Sequence, residues 1–117
     1  HPVNANIVRK ILEKKGIECL MADNGKICAD IFAASEPGDI DAVFMDIQMP
    51  IMNGYEAARA IRNMKRADAL TVPIIALTAN AFDEDVEKTR AAGMNAHVVK
   101  PIDISVLYRV LAKFFER

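Results

Sequence analysis

Cysteine is scarce in this chain, and neither sign of charge prevails. The two thiols, Cys19 and Cys28, have no Cys-Xaa-Xaa-Cys spacing, so they read as buried or half-buried thiols rather than as metal ligands or a redox pair. Fifteen basic residues face sixteen acidic ones, and no Lys/Arg cluster is longer than two, which leaves direct nucleic-acid binding without electrostatic support. No apolar stretch approaches the roughly 20 residues that cross a bilayer, and no charged start leads into an apolar leader segment. A cytoplasmic domain with no direct membrane contact is expected. Repeats and low-complexity segments are also missing, and 117 residues leave room for one domain, 1–117, with a single hydrophobic core.

What the chain does have is a repeated pattern of apolar runs that end in a polar group. Val43-Phe44-Met45 runs into Asp46, followed by Ile47-Gln48-Met49-Pro50 and closed by Asn53-Gly54. Pro73 to Leu77 runs into Thr78-Ala79, and Ala96 to Val99 into Lys100-Pro101. Runs that are apolar on both faces suit central parallel strands, and ligands of open α/β sheets sit beyond the carboxyl ends of such strands. Three strand ends therefore present a carboxylate, a hydroxyl and an amine.

Helical spacing fills the gaps. Ile7, Ile11 and Leu12 mark a helix from Val3 to Lys15 stopped by Gly16, and a short strand, Ile17 to Ala22, follows. Asp23-Asn24-Gly25 is turn chemistry before a helix with Ile27, Ile31 and Ala34 on its apolar face. A third helix runs from about Tyr55 to Lys65, carrying Ala58, Ile61 and Arg62, and Arg66 to Thr71 reads as a polar link. Phe82 to Ala92 forms a helix with Asp83, Glu84 and Asp85 at its positive end and Gly93 as its stop; the last helix spans about Asp103 to Phe115. Alternating strands and helices with short links predict an α/β fold, a parallel sheet wrapped by helices on both faces.

A carboxylate can attack a phosphoryl group to form an acyl phosphate if a cation and hydrogen-bond donors meet the added charge. Met45-Asp46-Ile47-Gln48-Met49-Pro50, Met52-Asn53-Gly54, Leu77-Thr78-Ala79 and Lys100-Pro101, in this order and spacing, strongly resemble the receiver domains of two-component response regulators. Receivers of hybrid sensor histidine kinases are the nearest in phrasing, and the resemblance covers nearly the whole chain. It implies a flavodoxin-like, doubly wound sheet of five strands in the order 2-1-3-4-5. It implies Asp46 as phosphoacceptor, Thr78 as switch hydroxyl, Lys100 as phosphate-binding lysine and Ala79 as the small residue that leaves room for the donor. Gln48 and Asn80 would tune hydrolysis, and Pro101 is the candidate for a cis peptide that holds Lys100 inward. The partners implied are a histidine kinase or a histidine phosphotransfer domain, and the parents in this family include membrane-bound kinases that carry the domain on their cytoplasmic side. A receiver is a signalling module rather than a dedicated enzyme, with self-phosphorylation and slow self-dephosphorylation as its only chemistry.

The start departs from the pattern. Receivers open on a strand ending in two acids, and His1-Pro2-Val3-Asn4-Ala5-Asn6 resembles the segment just after that pair. The resemblance implies Mg²⁺ held by Asp46, the backbone carbonyl of Gln48 and the acidic pair, which is expected upstream of His1 in a longer parent. Without that strand, the strands around Cys19 and Val43 are expected to lose their shared neighbour and leave backbone groups unpaired. Weak Mg²⁺ binding and a fold either marginal or rescued by strand exchange in a dimer would follow.

Some positions have an ordinary reading too. Thr78 alone could cap the next helix, and Lys100 alone could be a surface lysine. His97 stands where receivers carry an aromatic residue that swings between exposed and buried; it is either a second switch residue or a partly exposed strand histidine. Two rival classes are a pseudo-receiver that docks partners without phosphorylation, and a flavodoxin-like cofactor binder. The intact Asp46, Thr78 and Lys100 argue against the first, and the lack of a Ser/Thr/Gly-rich loop in His1 to Asn6 against the second.

Overall fold

The computed structural model describes residues 2–3, 5–21, 24–46, 52–78, 83–100 and 102–115, with backbone alone for 2–3, 5–6 and 83–85. In chain order the elements are β1 (Pro2–Val3), α1 (Ala5–Lys14), β2 (Cys19–Leu20), α2 (Gly25–Ala34), β3 (Ala42–Asp46) and α3 (Gly54–Arg62). They continue with β4 (Ile74–Thr78), α4 (Asp83–Ala91), β5 (Ala96–Val99), β6 (Ile102–Asp103) and α5 (Ile104–Phe115). Both predicted helix stops hold: Gly16 and Gly93 take the left-handed backbone, φ 78° and 92°, that ends α1 and α4 without a side-chain clash.

Strands β2, β3, β4 and β5 form one parallel sheet in that order. Alternation along the strands divides the core into two layers. Ala42 and Phe44 of β3, with Ile75 and Leu77 of β4, pack with Val8 and Leu12 of α1 and Leu107, Val110 and Leu111 of α5. Val43 and Met45, with Ile74 and Ala76, face Cys28 and Phe32 of α2 and Ala57, Ala58 and Ile61 of α3. A strand with both faces covered must be apolar throughout, which is why β3 and β4 read as continuous apolar runs. Burial pushes the Cys28 thiol up to about 12 and raises that of Cys19, so both are protonated near neutral pH.

The expected gap between β2 and β3 is absent. Cys19 pairs with Ala42 and Leu20 with Val43. The Asp41 N–H donates to Glu18 O at 2.8 Å, and the Glu18 N–H to Asp41 Oδ2 at 2.9 Å. Among the described residues the sheet thus keeps the family order without its first strand, as expected, but with the remaining four strands in direct succession. Unpaired backbone groups in a sheet cost about 1–3 kcal/mol each when buried, and the two strands meet that cost by bonding to each other. The gap expected between them is thereby closed, while β2 and β5 remain the edges of this sheet. A second difference lies at the start: Pro2 and Val3 are not helical but pair antiparallel with Asp103 and Ile102.

The predicted polar link between α3 and β4 is a clamp. Arg62 donates to Gly93 O at 2.9 Å, Ala69 O at 3.0 Å and Asn95 Oδ1 at 2.8 Å, while Asn95 Oδ1 also accepts from the Ile74 N–H. Arg66 lies over the Phe32 ring, 4.3 Å from its centroid, and donates to Phe32 O, Ser35 O and both Asp68 oxygens. Its guanidinium holds the Asp68 carboxyl below the usual range. The two arginines fasten the N-terminal ends of the sheet, leaving the C-terminal ends for chemistry.

Candidate functional site

Asp46 ends β3, Thr78 ends β4, and Lys100 follows β5 by one residue. Parallel register sets them side by side, since Asp46 pairs with Leu77 and Thr78 with Val99. The Lys100 N–H donates to Thr78 O at 2.7 Å, and Lys100 Nζ donates to Asp46 Oδ2 at 2.6 Å. The structure therefore brings the carboxylate and the amine into an ion pair on the frame of the threonine strand. The Lys100 and Asp46 side chains are 41% and 32% exposed, so water screens the pair and it contributes at most about 1 kcal/mol to stability. Its geometry matters more: an acceptor oxygen with a cation already against it can take on further negative charge.

Thr78 is buried at the end of β4, as expected of a hydroxyl held in the frame rather than waving in solvent. His97 is not brought to Asp46. It pairs with Ala76 in mid-strand, and its half-buried side chain lines two cavities: one of about 250 Å³ shared with α4 and α5, and one of about 360 Å³ with Val99, Lys100, Asp103 and Val106. Gln48, Ala79, Asn80 and Pro101 lie outside the described residues. Cavity size does not mark the site: about 530 Å³ lies at the other end of the sheet, between Lys15, Asp41, Tyr108 and Phe115.

Asp103 was read from the sequence only as the start of a helix. It caps α5, its Oδ1 accepting from the Ser105 N–H at 2.8 Å, and that bond holds its carboxyl below the usual range. An acidic residue immediately before the first helical residue gives this signal, whatever follows it, because the donor is a backbone N–H.

The described residues do not compose a magnesium site. Mg²⁺ asks for six oxygens in octahedral geometry. No group of three His, Cys, Asp or Glu side chains gathers among the described residues, and the one carboxylate at these strand ends is already held by Lys100.

A parallel sheet covered on both faces, with an acid, a buried hydroxyl and a lysine at three adjacent strand ends, defines a class that comparison bears out. The response regulator receiver domain model matches residues 1–112, and the chain belongs to that family. Among curated proteins it is 38% identical over 111 residues to hybrid signal transduction histidine kinase I of Dictyostelium discoideum, covering 93% of this chain and 6% of that one. The chain spans 6 to 12% of the length of the curated relatives it matches. Among solved structures, the receiver domain of a Pseudomonas aeruginosa sensor histidine kinase, with magnesium coordinated in its active site cleft, is 33% identical. Its TM-score is 0.77, over 97% of this chain and 89% of that one. The Saccharomyces cerevisiae complex of the histidine phosphotransfer protein Ypd1 with the receiver domain of Ssk1 matches at 28% identity and TM-score 0.76, covering 93% and 79%. Among the described residues no helix is long and apolar enough to cross a membrane.

Proposed function

We propose that this domain accepts a phosphoryl group from a phosphohistidine onto Asp46 and relays the change to the surface around α4 and α5. The observation that carries the reading is Lys100 Nζ at 2.6 Å from Asp46 Oδ2. A carboxylate oxygen forms the new O–P bond as the donor's N–P bond breaks, and the departing imidazole keeps the electron pair and takes up a proton. Lys100 meets the charge gathered on the phosphoryl oxygens. Thr78 donates its hydroxyl to one of them, pulling in the segment that follows, with Ala79 leaving space and Gln48 and Asn80 setting hydrolysis. His97, between the two cavities beside α5, is the residue through which the outer face responds.

The donor is a histidine kinase or histidine phosphotransfer domain, a reading supported by the yeast complex, and the domain works in the cytoplasm as part of a hybrid kinase. A magnesium ion such as the Pseudomonas relative holds would take Asp46 and the Gln48 carbonyl as ligands from this chain, with its other oxygens supplied from beyond the described residues, and would spread phosphoryl charge.

Incubation with a phosphorylated histidine phosphotransfer protein tests the reading. A label that is lost in hydroxylamine is expected, as for an acyl phosphate. A folded chain that takes no label yet binds the donor protein would instead be a docking module.

Lys100→Ala is expected to leave the fold intact and to weaken binding of beryllofluoride, an acyl-phosphate mimic, roughly tenfold, since one charge-assisted hydrogen bond contributes about 1.5 kcal/mol. Titration followed by amide resonances reads this, and unchanged affinity would remove Lys100 from the site.

A further inference from the structure

We infer that Gly25 is a positioning residue for the acceptor loop, holding the chain where it returns from Asp46. The inference rests on the phosphoacceptor reading and adds a residue to it from outside the three strand ends.

Gly25 is the first residue of α2, behind the N-cap Asn24, whose Oδ1 accepts from the Ile27 N–H at 2.8 Å. The opening N–H groups of a helix have no partner within it. That of Gly25 donates to Met52 O at 2.9 Å. A Cβ at Gly25 would collide with Met52 O and stand 2.9 Å from both Met52 C and Asn53 O. These are backbone atoms and cannot swing aside as a side chain would. Gly25 is not among the glycines with positive φ, so close approach is what asks for glycine here.

Met52 and Asn53 are themselves an anchor. Asn53 Oδ1 accepts from the Glu56 N–H at 2.9 Å, and Glu56 Oε1 from the Asn53 N–H at 3.2 Å, a reciprocal cap on α3. The stretch between Asp46 and Met52, which contains Gln48, is therefore tied at one end by β3 and at the other by the seat of α3 on Gly25. A displaced seat displaces Met52, where the described chain resumes after Asp46.

The test compares Gly25→Ala with Gly38→Ala. Gly38, at φ 90° with no atom within 4 Å of a built Cβ, would lose stability by backbone strain without touching the loop. In Gly25→Ala, the Asp46 carboxylate and Lys100 ammonium NMR signals are expected to shift, and the rate of labelling by a small phosphodonor to change at least fivefold. In Gly38→Ala both should stay at parent values. If Gly25→Ala does not fold, Asn53→Ala, which adds no atom and removes the side-chain half of the α3 cap beside Met52, is expected to shift the same two signals. Signals at their parent positions in the folded variant, or equal shifts in Gly38→Ala, would overturn the inference. Shifted signals in a chain that takes no label would instead sustain the positioning role and sink the phosphoacceptor reading.

Discussion

Asp46→Asn is expected to abolish labelling by a phosphohistidine donor while leaving a folded domain. The amide matches the carboxylate in size and sits at a position 32% exposed, so no cavity forms and the lost ion pair costs at most about 1 kcal/mol. Chemically the loss is complete: an amide oxygen is a poor nucleophile toward phosphorus, and the amide of Asn does not form an acyl phosphate. Hydroxylamine-sensitive incorporation, read beside thermal unfolding, checks both halves. A variant that labels at the parent's rate would transfer the acceptor role to another residue.

Arg62→Ala is expected to have the largest effect on stability, about 2–3 kcal/mol, or a fall in Tm on the order of 10 °C. The guanidinium donates to three acceptors on two separate segments, the link before β4 and the turn after α4. Burial lowers its pKa without an opposing carboxylate, so it acts through hydrogen bonds to neutral oxygens. Truncation leaves the Gly93 and Ala69 carbonyls with only what water can reach them. Asn95 keeps its bond from the Ile74 N–H, so β4 and β5 should remain paired and the loss should appear first at the end of α4. Hydrogen exchange at residues 89–95, set against chemical denaturation, measures it; protection there equal to the parent's would show that the clamp is not what holds α4.

Much of the architecture was legible in apolar runs and helix stops, but not the face of α2: Ile27, Ile31 and Ala34, expected to be its apolar face, are exposed, and the helix buries Cys28, Ala29 and Phe32 instead. Ala42 to Met45 and Ile74 to Leu77 are apolar on both faces, and Gly16 and Gly93 mark helix ends by a backbone geometry that few other residues take. The placement of the candidate site was legible for the same reason: Asp46 and Thr78 close strands, and Lys100 directly follows one. The remainder depended on contacts that leave no local pattern. A two-residue ladder between Pro2–Val3 and Ile102–Asp103 is too short to alternate. The direct pairing of β2 with β3 is a choice of neighbour, which no strand encodes by itself. Arg66 looked like part of a polar connector, since nothing within several residues reveals that its partners are the Phe32 ring and the Phe32 and Ser35 carbonyls. Gly25 was likewise legible as a turn residue and illegible as a seat for Met52.

The single backbone bond from the Lys100 N–H to Thr78 O has a thermodynamic consequence. It continues the β4–β5 ladder past Val99, so the backbone that carries the lysine is fastened to the end of the threonine strand. Coupling free energies are reciprocal. A partner that grips the β4–β5 edge more tightly after Asp46 is modified must, by the same factor, shift the equilibrium constant toward the modified form.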